Sequence, residues 1–219
     1  MAELTHRTRI KICGITRPED AEAAARFGAD AIGMVFHRQS ARAIDLAAAR
    51  EIVAAVPPFV STVALVVDAA REEVEHIIDQ VRPAFLQFHG DEPPAFCAQF
   101  SVPYMRAIRM GAPGQPVDLI KCRREFSGAA ALLLEAFVVG AAGGTGQSFD
   151  WRLIPEDLRP HIVLAGGLRP DNVAAAIRQV RPWAVDVSSG VEGSTKGVKE
   201  HARLREFIEA ARDADTTCN

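Results

Sequence analysis

Two titratable residues each close a short apolar run, and together they could act as a base and an acid. Cys13 lies in the segment KICGIT (11–16), and Glu135 lies in LLLEA (132–136). A thiolate can accept a proton, and positive charge nearby would lower the pKa of this thiol from about 8.5. A carboxyl group carried by an apolar run is partly desolvated, which favours the protonated form that a general acid needs.

Each of these residues also has an ordinary structural explanation. A strand cysteine is more often a small buried hydrophobe than a catalyst, and Glu135 could pair with an arginine of an adjacent strand. His89, in QFHG (87–90), is another acid–base candidate, but a lone histidine more often orients its neighbours through hydrogen bonds. We therefore leave His89 outside the catalytic pair, and the presence of Cys13 together with Glu135 favours catalysis.

Three loops rich in glycine and small hydroxyl residues could bind a phosphate group. They are GGTG (143–146), AGGL (165–168) and VSSGV (187–191), and they supply Gly144, Gly166, Gly167, Ser188, Ser189 and Gly190. Glycine lets a phosphate approach backbone N–H groups closely. A single Gly-Gly pair is more often only a turn, but loops of this kind follow two successive predicted strands, which favours phosphate binding.

Arg42, in FHRQSARAI (36–44), is the candidate for binding a substrate carboxylate. Its planar guanidinium group could hold a carboxylate through two hydrogen bonds, and the alternative is a solvated surface arginine. Together with the phosphate loops, it indicates a small phosphorylated substrate.

The elements that must position these residues are eight short β-rich runs, each followed by a helical or loop segment. This alternation is typical of parallel strands joined by crossover connections. The predicted strands are Arg9–Gly14, Ala31–Phe36, Ser61–Val67, Ala84–His89, Tyr104–Met110, Ala130–Ala136, Ile162–Gly166 and Ala184–Ser189. The predicted helices are Pro18–Phe27, Leu46–Val56, Arg71–Val81, Pro94–Phe100, Val117–Phe126, Pro170–Val180 and Lys199–Ala214, and the segment after the sixth strand is mostly loop.

Eight consecutive units favour a single closed (β/α)8 TIM barrel over an open doubly wound sheet, and no G-x-G-x-x-G follows Cys13. The expected domain covers residues 1–219, with Asp213–Asn219 frayed. Active sites of such barrels lie at the carboxyl ends of the strands, which would bring the candidate residues to one mouth.

Composition excludes several classes of partner. With 25 Lys and Arg against 28 Asp and Glu, the net charge of −3 gives no basic surface for nucleic acid. The cysteines, Cys13, Cys97, Cys122 and Cys218, form no C-x-x-C pair, so free thiols in a reducing compartment are expected. The chain shows neither an export signal nor an apolar run near the roughly 20 residues that span a bilayer, which predicts a cytoplasmic protein without membrane contact.

Six ordered motifs together resemble the phosphoribosylanthranilate isomerase family of tryptophan biosynthesis. They are KICGIT (11–16), FxxxSxRxI (36–44), QFHG (87–90), GGTGxxFDW (143–151), AGGLxPxNV (165–173) and VDVSSGVE (185–192). The resemblance implies an Amadori rearrangement of N-(5-phosphoribosyl)anthranilate to 1-(o-carboxyphenylamino)-1-deoxyribulose 5-phosphate. No redox change occurs in it, so no cofactor and no metal are expected.

The resemblance also implies roles for residues of this chain. The family's general acid falls on Glu135, which would protonate the ring oxygen, and its general base on Cys13, which would take the proton from C2. Arg42 would hold the anthranilate carboxylate, and the phosphate would bind the glycine and serine loops. Asp186 would point to the mouth or into the barrel, with its role left open.

Glu135 departs from the family pattern, which has aspartate at this position. The extra methylene displaces the carboxyl group by roughly an ångström, which could cost about 100-fold in rate. An alternative is therefore a weakened or non-catalytic barrel that binds a sugar phosphate. Smaller departures are His37, where the family often has proline, and Phe88, where it usually has leucine.

A second enzyme class is the related isomerase of the histidine pathway that acts on an aminoimidazole carboxamide ribotide. It performs the same rearrangement with a pair of aspartates, and Cys13 argues against it. The resembling family contains monomers and dimers, so the chain is expected to be a monomer or a homodimer, with the monomer preferred.

Overall fold

Eight parallel strands close into a barrel in the computed structural model, which describes residues 7–111, 116–136 and 149–216. The strands are β1 (Arg9–Ile12), β2 (Ala31–Val35), β3 (Ser61–Val66), β4 (Phe85–Phe88), β5 (Tyr104–Met110), β6 (Ala131–Ala136), β7 (Ile162–Leu164) and β8 (Ala184–Val187). Each strand pairs with its neighbours in the chain, and β1 pairs with β8 to close the ring. The predicted TIM barrel is confirmed.

Helices alternate with the strands, mostly where the apolar periodicity predicts them. Asp45 caps the second helix, since its Oδ1 accepts a hydrogen bond from the N–H of Ala48 at 2.8 Å. The α-helices are α1 (Pro18–Phe27), α2 (Leu46–Ala55), α3 (Arg71–Val81), α4 (Pro94–Cys97), α5 (Leu119–Glu125), α6 (Val173–Val180) and α7 (His201–Thr216). Between β6 and β7, residues 149–161 contain two 3₁₀ helices, Trp151–Leu153 and Glu156–His161.

Several strands end earlier than predicted, and the residues beyond their ends form the mouth of the barrel. The prediction carried β7 to Gly166, but the strand ends at Leu164 because Gly166 and Gly167 have φ of 81° and 68°. Such positive φ angles are incompatible with an extended strand and turn the chain out of the sheet. Likewise β1 ends before Cys13, β4 before His89 and β8 before Ser188.

Helix ends differ where side chains or other segments bind the backbone. The predicted start of α6 at Pro170 is wrong, because the Asn172 side chain accepts from the N–H of Arg169 at 2.8 Å and donates to the carbonyl oxygen of Gly167 at 2.9 Å. These bonds hold residues 167–172 in a turn. At the end of the chain, α7 continues to Thr216, two residues beyond the predicted Ala214.

The barrel is packed by apolar layers inside and outside the strands. Inward-facing residues from several strands, including Val63, Ala107 and Leu133, fill the interior. The larger core lies between the outer strand faces and the helices. Cys13, Cys97 and Cys122 are free thiols, and Cys218 lies outside the described residues. Among the described residues, no helix is both long and apolar enough to cross a membrane.

Candidate active site

A cavity of about 740 Å³ opens at the end of the barrel where the strands terminate. Eight predicted site residues line it: Cys13, Arg42, Glu135, Gly166, Gly167, Asp186, Ser188 and Ser189. Gly190 is not among its lining residues, and Gly144 lies outside the described part of the chain. The topology therefore brings distant segments of the sequence into one site.

The Cys13 side chain lies inside the barrel, beside a buried ion pair. Lys11 and Cys13 are two residues apart and face the same side of the sheet, since side chains alternate along a strand. The Nζ of Lys11 donates to Oδ1 of Asp186 at 2.9 Å, and both side chains are buried. Asp186 thus points into the barrel while also lining the cavity.

Burial raises the pKa of the Cys13 thiol, and the neighbouring Lys11 ammonium lowers this pKa by less. The lowering expected from a nearby positive charge is present, but burial outweighs it, and the net shift of the thiol pKa is upward. Burial acts to lower the pKa of Lys11, but the charges of Asp186 and Cys13 raise it, so the lysine stays protonated.

Gly33, on the neighbouring strand β2, makes room for the Cys13 and Lys11 side chains. A Cβ atom at Gly33 would lie 2.9 Å from Sγ of Cys13 and 3.1 Å from Nζ of Lys11. A side chain at this position would push the thiol or the ammonium away from its present place.

Glu135 lies at the mouth opposite a histidine that the sequence analysis left outside the catalytic pair. The Nε2 of His89 lies 2.5 Å from Oε1 of Glu135, and the Nδ1 of the same ring lies 2.8 Å from Nε2 of Gln87. All three side chains are buried. Gln87 and His89 are two positions apart in QFHG, a spacing that could have placed both on the inner face.

Among the described residues, Glu135 has no arginine partner of the kind that the sequence allowed. Arg109 is the register neighbour of Glu135 on β5, but its Nη2 donates to the carbonyl oxygen of His89 at 2.9 Å. Its Nη1 lies 3.4 Å from a carboxylate oxygen of Asp91. Within the part of the chain that the structure describes, the polar partner of Glu135 is therefore His89.

Arg42 is held by a carboxylate rather than being solvated at the surface. Its Nε and Nη2 donate to the two oxygens of Glu192 at 2.6 and 2.8 Å, and Lys199 donates to Oε1 of the same carboxylate at 3.0 Å. We name these three residues the Arg42–Glu192–Lys199 cluster. Glu192 engages the Nε–Nη2 edge of the guanidinium group, and the Nη1–Nη2 edge is left for another carboxylate.

The charges of this cluster shift each other's pKa. Burial acts to raise the pKa of Glu192, but hydrogen bonds from Arg42 and the charge of Lys199 hold it below its usual range. Burial lowers the pKa of Lys199 despite the attraction of Glu192. Sequence reasoning missed Glu192 and Lys199 as site residues, although Glu192 closes the VDVSSGVE motif.

The loops after β7 and β8 pack against each other at the mouth. A Cβ atom at Gly190 would lie 1.9 Å from the carbonyl oxygen of Leu168, so only glycine allows this approach. Ser188 and Ser189 are partly exposed and line the cavity, and Nζ of Lys199 donates to the carbonyl oxygen of Ser188 at 3.0 Å. The described residues hold no group of three or more His, Cys, Asp or Glu placed to bind a metal ion.

Sequence comparisons relate nearly the whole chain to one enzyme family. A family model described as N-(5'phosphoribosyl)anthranilate (PRA) isomerase matches residues 10–210. An N-(5'-phosphoribosyl)anthranilate isomerase from Pseudomonas aeruginosa is 55% identical over 204 residues, which make up 93% of this chain and 95% of the relative. A protein of the same name from Thiobacillus denitrificans is 52% identical over 204 residues, or 93% of this chain and 98% of that protein.

Solved structures give the same relationship. The phosphoribosyl anthranilate isomerase from Thermotoga maritima matches with a TM-score of 0.82 and 37% identity, over 94% of this chain and 99% of that chain. Another structure, described as a phosphoribosyl anthranilate isomerase in complex with reduced 1-(o-carboxyphenylamino)-1-deoxyribulose 5-phosphate, matches with a TM-score of 0.80 at 37% identity and the same coverage.

Proposed function

The chain belongs to the N-(5'-phosphoribosyl)anthranilate isomerase family, and from this premise we propose that it performs the family's rearrangement with Cys13 as general base and Glu135 as general acid. The substrate is N-(5'-phosphoribosyl)anthranilate, the product is 1-(o-carboxyphenylamino)-1-deoxyribulose 5-phosphate, and the step belongs to tryptophan biosynthesis. The observation that carries the residue assignment is that a thiol and a carboxyl group, 122 positions apart in the chain, line one cavity at the barrel mouth.

Ring opening is the step for Glu135. Its carboxyl group gives a proton to the ribose ring oxygen as the C1–O bond breaks, and the nitrogen lone pair forms a C1=N bond. The product is a protonated Schiff base, and Glu135 is left as a carboxylate. Burial of Glu135 supports this role, because little water competes for its proton.

Proton removal from carbon is the step for Cys13. The thiolate takes the proton from C2, the C–H electron pair forms a C1=C2 bond, and the positive charge on nitrogen is neutralised. The resulting enolamine tautomerises to the ketone, so oxidation states balance within one molecule. The Lys11 ammonium supports this role because it stabilises the thiolate over the thiol.

Two anionic ends of the substrate have candidate partners at the mouth. The Nη1–Nη2 edge of Arg42 suits the anthranilate carboxylate, and the Arg42–Glu192–Lys199 cluster carries two cations against one carboxylate. We assign the phosphate to the loops that contain Gly166, Gly167, Ser188, Ser189 and Gly190, together with Gly144. The partly exposed serines and the positive φ angles of Gly166 and Gly167 support this assignment.

A second candidate function is a weakened or non-catalytic barrel that binds a sugar phosphate. The observation that favours it is the glutamate at position 135, whose longer side chain contacts His89. Under this hypothesis the carboxyl group is too far displaced to protonate the ring oxygen, while the binding loops still hold the ligand.

The steady-state rate on freshly generated N-(5'-phosphoribosyl)anthranilate, followed by loss of its fluorescence, separates the two hypotheses. We expect turnover by the native chain within about 100-fold of its Glu135→Asp variant, since the groups for both proton transfers are present. Turnover seen only with aspartate would indicate a barrel weakened at its acid. Product binding without turnover in either protein would support the binding function and contradict the isomerase.

A further inference from the structure

Behind Glu135, two further polar side chains continue a buried chain of hydrogen bonds into the barrel. Gln87 is 0% exposed and His89 is 6% exposed, and Glu135 is 5% exposed. Contacts of 2.8 Å and 2.5 Å connect the glutamine amide, the imidazole ring and the carboxyl group. Of these three residues, the mechanism proposed above uses only Glu135. The positions of Gln87 and His89 therefore need a physical explanation.

The backbone of His89 is fixed from two sides, which sets the position of its ring. Its N–H donates to the carbonyl oxygen of Val66 on β3 at 3.0 Å. Its carbonyl oxygen accepts from Nη2 of Arg109 on β5 at 2.9 Å. The ring is therefore placed by both neighbouring strands and reaches across β5 to Glu135 on β6.

The glutamine determines which ring nitrogen carries the proton. The amide nitrogen of Gln87 can only donate, so Nδ1 of His89 must accept, and the neutral ring carries its hydrogen on Nε2. Among the described residues, Oε1 of Gln87 has no hydrogen-bond partner. The reversed amide would leave an NH₂ group with two donors at that position, which costs more than one carbonyl oxygen without a partner.

We propose that His89 is the positioning residue of the general acid, a role that rests on the proposed function of Glu135. Held in its Nε2–H form by Gln87, the ring donates to Oε1 of Glu135 and leaves Oε2 to carry the proton toward the substrate. This arrangement fixes the direction in which the longer glutamate side chain presents its acid.

The same bond stabilises the acid after it reacts. When the proton passes from Oε2 to the ring oxygen, its bonding electrons stay on the carboxylate, and the C1–O electron pair goes to the ring oxygen. Negative charge then appears on a buried group that already accepts an N–H bond. The imidazole keeps its own proton and stays neutral throughout. A hydrogen bond to a charged acceptor is stronger than one to a neutral acceptor, so His89 favours the charged product of this step.

Two substitutions at His89 test the proposal kinetically. The amide nitrogen of a glutamine can replace Nε2–H as a donor, whereas a leucine cannot. We expect His89→Leu to lower kcat about 10- to 100-fold with KM within about twofold, and His89→Gln to keep kcat within about threefold of native. The exposed His76, changed to Leu, is the matched control and should leave both constants unchanged. Native kcat in His89→Leu, or equal losses in the leucine and glutamine variants, would overturn the proposal, the second because a donor alone would then not restore the acid.

A spectroscopic readout on the native chain tests the tautomer without any variant. Two-bond ¹⁵N–¹H correlations distinguish Nε2–H from Nδ1–H imidazole, and the His89 ring is assigned through its own backbone resonances. We expect the neutral Nε2–H form, and an Nδ1–H or doubly protonated ring would overturn the inference. If the native chain fails to turn over N-(5'-phosphoribosyl)anthranilate, the proposed function fails instead, and this spectrum still decides the state of His89.

Discussion

At the scale of single residues, the pKa of the Cys13 thiol depends on burial and on two neighbours that act in opposite directions. Burial and the Asp186 carboxylate raise the pKa of the thiol, and the Lys11 ammonium lowers it. Because a thiolate reacts with alkylating reagents and a thiol does not, the rate of Cys13 alkylation should rise with pH toward the thiol pKa and then level off. In the free protein the thiolate is thus a minor form near neutral pH.

The pH profile of Cys13 alkylation by iodoacetamide, followed on the Cys13 peptide by mass spectrometry, provides a test of this balance. Replacing the ammonium by an apolar group raises the thiol pKa, so Lys11→Met should shift the rising limb to higher pH and slow alkylation at pH 7. Asp186→Asn removes a carboxylate that raises the thiol pKa, so the rising limb of this variant should move to lower pH. Lys11→Met leaves the buried Asp186 carboxylate without its partner, so the double variant Lys11→Met/Asp186→Asn is measured as well. The thiol pKa of the double variant should still rise, because Lys11 influences it more strongly than Asp186 does. Equal profiles for all variants would contradict the influence of Lys11 and Asp186 on the thiol.

Glu192 holds Arg42 and should act on substrate binding rather than on the chemical step. Glu192→Gln keeps one acceptor but loses the charge and the two-oxygen contact, so the guanidinium group is less well placed. We expect KM to rise about 10-fold with kcat within about threefold, as measured by steady-state kinetics. Arg38→Ala removes an exposed arginine outside the cavity and is the control. A fall in kcat at constant KM would contradict this role.

The residues that sequence reasoning found and missed differ in one respect. Cys13, Glu135 and Arg42 lie in short motifs that show their chemistry directly. Lys11 lies in the same motif as Cys13, and Glu192 closes the VDVSSGVE motif, but their partners are far away in the chain. Only the closed barrel shows which charge each one meets. The extent of burial at Cys13 could not be read from the sequence either, and burial outweighs the lowering of the thiol pKa by the neighbouring positive charge.

At the scale of the strand, β2 contributes Gly33, whose lack of a side chain leaves space for the Cys13 thiol. Gly33→Ala should lower kcat about 10- to 100-fold, because its Cβ would lie 2.9 Å from Sγ of Cys13 and displace the thiol by a fraction of an ångström or more. Gly128→Ala is the matched control, since its Cβ would meet only the Tyr104 ring and hydroxyl at 3.5 Å or more. Both variants are compared by kcat and by thermal unfolding. A native kcat in Gly33→Ala would show that the reaction tolerates a displaced thiol, and it would contradict this prediction.

Element order and type were predictable because short β-rich apolar runs alternate with apolar stripes of helical period. Arg71–Val81 and Tyr104–Met110 have the bounds that the sequence predicted. Ends were less predictable, because residues such as Asn172 make local bonds that compete with a helix. The strands that were predicted to continue too far end where the chain leaves the sheet to form the mouth.

At the scale of the whole molecule, Asp20 connects the first and last units of the barrel. It is fully buried, accepts hydrogen bonds from Arg17 in its own unit and from the N–H of Lys199, and contacts His201 at the start of α7. Burial acts to raise the pKa of this carboxyl, and the bonds, led by that from Arg17, hold it below its usual range. The charged form therefore contributes to stability above the unfolded-state pKa.

Asp20→Asn should lower the free energy of unfolding by about 2 kcal/mol at pH 7, as measured by urea denaturation. Because the folded pKa is depressed, this contribution is lost as the pH falls below about 4, and the two proteins should converge there. Asp79→Asn, at an exposed position of α3, is a comparison at the surface. A difference that stays constant down to pH 2 would show that shape, not charge, accounts for the loss.

The pairing of β1 with β8 has a consequence for the order in which the protein is made. Lys11 leaves the ribosome first, and the carboxylate that neutralises it follows 175 positions later. Until then, burial of the unpaired ammonium would be costly, so Lys11 stays hydrated, and the pocket around Cys13 is incomplete. The nascent chain thus carries the Cys13 thiol exposed until β8 is made, and the cavity at the barrel mouth is assembled only then.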